Sequence, residues 1–233
     1  MRYFIIISNE YDILGYLLMD SLFLFCMIIF ALYLYCCEVI KVKDLNQILE
    51  SNKGFITFNQ VKEAGVPYSI VRNKLETGEL EKDVSGIYRK PDVYIDDLFV
   101  LQYKFPKGIY SLETALWLHG LSLTVPFNPV MSFPYGTNTK ILKEAGIKPV
   151  VLRKNYDIGV VETRTPTGQL VRVYDVERAL TESLHGIYSI DTQIVGPSFR
   201  AYIEMGKIDY SKLLYYAKLF RVTKKVQAYL EVL

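Results

Sequence analysis

Two short helices are expected where the polar part of the chain begins. Leu45, Ile48 and Leu49 recur at the spacing of one helix face. A second apolar pattern covers residues 58–64, and Thr57 directly before it can cap the helix by accepting a backbone N–H bond. Gly65 then supplies a turn.

A third helix is predicted from Pro67 to Leu75, because proline suits the first helical position and Gly78 stops the pattern. Ile70, Val71 and Leu75 are expected on its inner side. The outward side then presents donors suited to phosphates and base edges: Tyr68, Ser69, Arg72 and Asn73. Helix, short glycine turn and helix is the helix-turn-helix spacing, with the third helix in the role of recognition helix.

A two-stranded hairpin follows over residues 79–90 and is expected to form a wing. Residues 39–91 are therefore predicted to be a winged helix-turn-helix that binds double-stranded DNA. The expected DNA contacts are Lys53, Thr57, Tyr68, Ser69, Arg72, Asn73, Lys74, Arg89 and Lys90. Glu79, Glu81 and Asp83 make the wing electrostatically mixed. Such small units also serve as protein-interaction modules, which is the alternative interpretation.

Residues 92–233 are more aromatic and alternate between apolar β-rich runs and helical patterns. Strands are expected over 129–133, 148–152, 158–162 and 170–174, with a hairpin turn at Pro166-Thr167-Gly168. Helices are expected over 92–104, 111–120, 175–184, 197–204, 210–220 and 223–232. The predicted fold class is α/β in the α+β sense, with a winged helix-turn-helix followed by a mixed α/β domain.

Residues 1–38 differ from the rest of the chain, because the run over 13–37 is almost wholly apolar and long enough to span a bilayer. One interpretation is a membrane anchor that leaves the rest of the chain in the cytoplasm. The favoured interpretation is sequence upstream of the true start, which leaves a soluble cytoplasmic protein.

The charge, cysteine and histidine content of the chain limits the kinds of binding and catalysis that we expect of it. The formal net charge of +2 does not by itself mark a nucleic-acid-binding protein, so DNA binding depends on local arrangement. All three cysteines lie in the first 37 residues, and His119 and His185 are the two histidines, each at a predicted helix end. No metal-ligand spacing, phosphate-binding loop or nucleophile motif is present, so we expect neither a cofactor nor an enzyme.

Several short motifs, in this order and spacing, resemble those of the AbiEi antitoxins of bacterial AbiE phage-defence toxin–antitoxin systems. They are Lys53-Gly54-Phe55-Ile56-Thr57, Glu63-Ala64-Gly65-Val66, Gly78-Glu79-Leu80-Glu81-Lys82, Gly86-Ile87-Tyr88, residues 110–121 and Asp175-Val176-Glu177-Arg178-Ala179-Leu180. The pair formed by the wing and the Ser111-Leu112-Glu113-Thr114-Ala115-Leu116 segment is the most specific. The wing is more acidic than is usual in that family.

The resemblance implies an autorepressor that binds inverted repeats at its own promoter, with cooperative self-association on the DNA. It also implies that the second domain counteracts a cognate nucleotidyltransferase-like toxin, directly or indirectly. A cationic surface would serve that role, and its expected members are Arg178, Lys212, Lys218, Arg221, Lys224 and Lys225. The alternatives are a membrane-tethered winged-helix regulator and an enzyme fused to a winged helix.

Overall fold

The structure is a computed structural model that describes residues 44–84, 86–206 and 208–232. The apolar leader over residues 1–38, with its two interpretations, lies outside the described residues. Within the described part of the chain, no helix combines the length and the apolar character needed to cross a bilayer. The chain divides into two compact units, the first ending at Val93 and the second beginning at Tyr94.

The first unit contains short helices and a three-stranded antiparallel sheet. Its elements are α1 (Leu45–Ser51), β1 (Phe55–Thr57), α2 (Phe58–Glu63), α3 (Tyr68–Glu76), β2 (Glu81–Lys82) and β3 (Ile87–Arg89). The strand order is β1-β3-β2. The predicted hairpin is present, with Glu81 opposite Arg89 and Lys82 opposite Tyr88.

Local capping and one small core shape this unit. The Thr57 side chain accepts the Gln60 N–H at 3.3 Å, and the Gln60 side chain accepts the Thr57 N–H at 2.9 Å, so the two residues form a capping box at the start of α2. The core lies between the helices and the sheet and contains Leu45, Ile48, Leu49, Ile56, Val61, Val66, Val71, Leu80 and Tyr88. The prediction that Ile70 faces inward is wrong, because this side chain is 42% exposed.

The second unit is built on a five-stranded mixed sheet. Its elements are α4 (Asp97–Lys104), β4 (Ile109–Tyr110), α5 (Leu112–Leu118), β5 (Val130–Pro134), α6 (Thr139–Glu144), β6 (Lys148–Leu152), β7 (Val160–Arg164), β8 (Leu170–Tyr174), α7 (Val176–Ser183), α8 (Thr192–Glu204), α9 (Tyr210–Leu219) and α10 (Thr223–Val232). The strand order is β6-β5-β4-β8-β7. The pairs β5–β6 and β4–β8 are parallel, whereas β4–β5 and β7–β8 are antiparallel. The described part of the chain is therefore mixed α/β, with two sheets.

The apolar core of this unit forms where the helices cover the sheet. Met131 and Phe133 of β5 alternate with the side chains that face the other way, as do Val171 and Val173 of β8, and all four are essentially buried. Helix α7 is different, because Glu177, Arg178 and Glu182 are buried together with its apolar residues. Charged side chains therefore belong to the interior of this unit.

Candidate functional site

The outward face of α3 is exposed as predicted from its periodicity. Ser69, Arg72 and Asn73 are exposed, and Tyr68 is 47% exposed. Glu76 shares this face and was missed by the sequence analysis, although its i,i+4 spacing from Arg72 was visible. Arg72 Nε lies 2.9 Å from Glu76 Oε1. The face thus carries hydroxyl, amide, guanidinium and carboxylate groups within two helical turns.

Tyr68 is held at the beginning of α3 by two other aromatic residues. Its ring packs edge-on against Phe58, with centroids 6.0 Å apart, and lies 6.2 Å from the ring of Tyr88. The Tyr88 hydroxyl donates to the Tyr68 hydroxyl at 3.2 Å. Pro67 precedes the helix and forms no side-chain capping bond. The first turn of α3 therefore presents its N–H groups beside a fixed tyrosine, an arrangement suited to an anionic ligand.

The hairpin residue Arg89 forms ion pairs within the first unit. Its guanidinium lies 3.1 Å from Glu81 Oε2 and 3.4 Å from Asp83 Oδ1, and it also donates to the Val93 carbonyl at 3.1 Å. Only 24% of its side chain is exposed. Arg89, which is predicted to contact DNA, therefore has no unpaired charge to offer a phosphate, because the hairpin register places Glu81 directly opposite it.

Two other predicted DNA contacts are also engaged internally. Lys74 Nζ lies 2.5 Å from Glu79 Oε2, and this hydrogen bond lowers the pKa of Glu79. Thr57 is only 5% exposed because its side chain caps α2, so its predicted contact with DNA is wrong. By contrast, Lys53 and Lys90 are exposed and form no ion pair with a described residue. These two lysines and the α3 face remain available to a ligand.

The predicted cationic surface of the second unit is smaller than expected. Lys218, Arg221, Lys224 and Lys225 are exposed. Lys225 donates its ammonium to the Leu184 carbonyl at 2.7 Å. Lys212 is half-exposed and bridges two carboxylates, lying 3.1 Å from Asp175 Oδ2 and 3.3 Å from Glu177 Oε2.

Arg178 is not a surface residue, and the prediction that it contributes to a partner surface is wrong. Its side chain is 0% exposed and pairs with Glu182 at 3.2 Å. It donates to the backbone carbonyls of Asn155 and Ile158, and its guanidinium carbon lies 3.3 Å from the ring centroid of Tyr174. Arg178 therefore fixes the segment between β6 and β7 against α7. The burial of Glu182 raises the pKa of that carboxyl by more than Arg178 lowers it.

A second buried network connects α7 with α8 and α9. The Tyr216 hydroxyl donates to Asp175 Oδ2 at 2.8 Å, and the Tyr202 hydroxyl donates to Glu177 Oε1 at 2.8 Å. Although burial lowers the pKa of Lys212, its two carboxylate partners outweigh that effect and raise it. These contacts position helices, and nothing in their geometry requires a reaction.

His119 joins the end of α5 to the end of β8. Its Nε2 lies 2.8 Å from the Tyr174 carbonyl oxygen, which can only accept, so Nε2 is the donor. Burial lowers the pKa of His119. His119 is the C-cap residue of α5, so this geometry is that of a packing and capping histidine. Across the described residues, no group of three or more His, Cys, Asp or Glu side chains is arranged to hold a metal ion.

No protein-family model matches the chain, and no curated protein matches it. Among solved structures, it is similar to the RV2827C protein from Mycobacterium tuberculosis, with 14% sequence identity and a TM-score of 0.46. The match covers 74% of this chain and 69% of that one. A likeness this remote carries no argument about function.

Proposed function

We propose that the first unit is a winged helix-turn-helix that binds duplex DNA, with α3 as the recognition helix and the β2–β3 hairpin as the wing. The observation that carries the proposal is the exposed face of α3, where Ser69, Arg72 and Asn73 project to solvent. Asparagine can pair with adenine and arginine with guanine in the major groove, and serine hydroxyls suit either a base edge or a phosphate. The face has the right chemistry for direct readout.

The charges of the first unit favour different roles in DNA binding for α3 and for the wing. Because Arg89 is neutralised by Glu81 and Asp83, the wing supplies little net attraction to phosphate. Lys53 and Lys90 are exposed and form no ion pair with a described residue, so their charges are free to contact the DNA backbone. Base contacts by α3 then decide sequence preference, and backbone contacts by the lysines add salt-dependent affinity.

The proposal extends to the whole chain through its resemblance to AbiEi antitoxins. In this proposal the chain represses its own operon by binding promoter inverted repeats, and the second unit counteracts a nucleotidyltransferase-like toxin. Lys218, Arg221, Lys224 and Lys225 are the exposed members of the cationic surface that would serve the second role, and Lys225 also donates to the Leu184 carbonyl. Two copies on an inverted repeat would account for cooperative binding.

DNA binding is tested by fluorescence anisotropy with the full chain and a labelled duplex from its own upstream region. We expect affinity to fall steeply with salt and to exceed that for a scrambled duplex. Asn73→Ala should cost about 1–3 kcal/mol of binding free energy on the upstream duplex and little on the scrambled one. Asn46→Ala is the matched control, since Asn46 is exposed on α1. Equal losses in the two variants would refute the role of α3.

The antitoxin role is tested by co-expression with the neighbouring gene. We expect the neighbour to arrest growth when it is expressed alone and growth to recover when this chain is present. A Lys218→Ala, Arg221→Ala, Lys224→Ala triple variant should lose recovery while it keeps DNA binding. A neighbour that is harmless alone, or that stays toxic beside the unmodified chain, would contradict the antitoxin proposal and leave DNA binding to be decided by anisotropy.

A further inference from the structure

An exposed apolar loop joins α5 to β5 in the second unit. Leu123 and Phe127 in this loop are 100% and 97% exposed, and Val125 is 62% exposed. Soluble proteins rarely display several large apolar side chains together unless another molecule covers them. The loop therefore has the composition of a contact surface, and neither DNA binding nor the cationic surface uses it.

The loop borders a cleft of about 500 Å³. Val125 and Phe127 line this cleft together with Trp117 of α5 and with Val100 and Leu101 of α4. This volume can accept a few side chains of a bound segment. Aromatic residues at the border of an apolar cleft are typical anchors in protein interfaces.

The loop is ordered by its own contacts. The Ser122 hydroxyl accepts the Thr124 N–H at 3.2 Å, which forms a local turn. At its far end the Val130 N–H donates to the buried Thr114 hydroxyl at 2.8 Å. Pro126 and Pro129 restrict the backbone between these points. Because the loop is constrained before a partner arrives, binding costs little conformational entropy.

The charge around the cleft indicates what it binds. Asp96 and Asp97 are the charged residues that line it. Asp96 uses Oδ1 to cap α4, accepting the Leu98 N–H at 2.9 Å, whereas Asp97 is exposed and forms no ion pair with a described residue. We propose that this cleft docks a segment of a partner protein that carries apolar side chains and at least one Lys or Arg. The carboxylates would repel an anionic membrane surface, which would otherwise also suit exposed Leu and Phe side chains.

The proposal is tested with two labelled synthetic helical peptides that share one Leu/Trp face and differ in polar residues, Lys in one and Glu in the other. At low salt the full chain should bind the Lys peptide at least about fivefold more tightly than the Glu peptide. Phe127→Ser should weaken Lys-peptide binding at least about tenfold. Asp97→Lys should reduce or reverse the preference between the peptides. Ile187→Ser, at a site 79% exposed outside the cleft, is the matched control and should change neither result.

Several results would overturn the proposal. They are binding of neither peptide, equal binding of both, or binding unaffected by Phe127→Ser. A dimer in sedimentation that Phe127→Ser dissociates would assign the loop to a second copy of this chain, and stronger binding to anionic vesicles lost in the same variant would assign it to a membrane. Because Phe127 is almost fully exposed, its replacement should leave the urea unfolding midpoint unchanged, which separates lost binding from lost folding.

Discussion

Arg178→Met tests how the second unit is held together. Methionine can occupy much of the space of arginine without its charge or its donors. In the variant, Glu182 remains buried, with 1% of its side chain exposed, and loses the guanidinium 3.2 Å away. The backbone carbonyls of Asn155 and Ile158 lose their donor as well. The substitution therefore leaves a carboxylate and two acceptors without the group that satisfied them.

The expected magnitude follows from this uncompensated charge. Removing one partner of a buried ion pair costs about 3–5 kcal/mol, whereas replacing both partners by apolar residues is often nearly neutral. We therefore expect Arg178→Met to lower the free energy of unfolding by about 3–5 kcal/mol. The double variant Arg178→Met, Glu182→Leu should recover only part of that loss, because the two carbonyls stay without their donor and each unsatisfied acceptor costs about 1–3 kcal/mol.

Urea unfolding followed by tryptophan fluorescence measures the change in the stability of the second unit, where Arg178 lies. Trp117 is the single tryptophan of the chain and lies in α5, so its signal reports the second unit. With a urea slope of about 2 kcal/mol per molar, the midpoint of Arg178→Met should fall by roughly 1.5–2.5 M. Arg200→Met, at an exposed position on α8, should stay within about 0.5 kcal/mol of the unmodified chain.

Two outcomes would refute the reasoning. One is a loss below about 1 kcal/mol in Arg178→Met, which would mean that the pair contributes as little as a surface ion pair. The other is a double variant that is less stable than the single one, which would mean that the packing of the two side chains, and not the unpaired carboxylate of Glu182, determines the loss of stability. A partner-binding defect with unchanged stability would return Arg178 to the role first expected of it.

Three further perturbations follow from the contacts of single residues. Glu76→Gln removes the ion pair with Arg72, so the affinity for a scrambled duplex, measured by anisotropy, should rise about two- to fivefold. This increase matches the few tenths to about 1 kcal/mol that an exposed ion pair contributes, and an unchanged affinity would contradict it. Because burial lowers the pKa of His119, the native state stays unprotonated below pH 6.5 while the unfolded chain binds a proton. As the pH falls below 6.5, the free energy of unfolding should therefore decrease by at most about 1.4 kcal/mol per pH unit. His119→Gln should flatten that slope when the free energy of unfolding is measured between pH 7.5 and 5.5. An equal slope in both chains would exclude His119 as the cause. Lys212→Met leaves two nearly buried carboxylates together and should cost about 1–3 kcal/mol at pH 7 in the fluorescence assay. Since the pKa of Lys212 is raised above 10.5, its stabilisation should persist through neutral pH and disappear only above that raised value; a variant as stable as the unmodified chain would contradict the role of the bridge.

The elements that could be predicted from the sequence are those whose signals are local. Thr57 followed by Gln60 three residues later is a capping pattern, and α2 begins at that point. Residues 148–152 and 170–174 are short β-rich runs with turn signals near them, and both are strands with the predicted bounds. Strand β4 was missed because it has only two residues, and α6 because it has six and sits between glycines, where no periodicity can develop.

Helix α5 begins where the sequence predicts, but its first turn lacks the serine capping bond that usually starts a helix. Serine is a common N-cap residue, and Ser111 is the N-cap of this helix, but its hydroxyl makes no capping bond and finds no partner among the described residues. The helix begins instead through Leu112 at a φ of 51°, a left-handed conformation that is unusual for leucine. The sequence therefore predicts where α5 begins but not the backbone conformation of its first residue.

The candidate site was harder to predict because charge availability depends on pairing. The acidic residues of the hairpin predicted an electrostatically mixed wing, and the structure pairs Glu81 and Asp83 with Arg89. Glu81 and Arg89 are cross-strand neighbours, so their pairing could have been derived once the hairpin register was fixed. The β2–β3 hairpin is therefore closer to electrostatically neutral than its acidic residues alone suggest. If the unit binds DNA, discrimination between sequences must come from α3, and phosphate contacts must come from lysines that no carboxylate in the described structure neutralises.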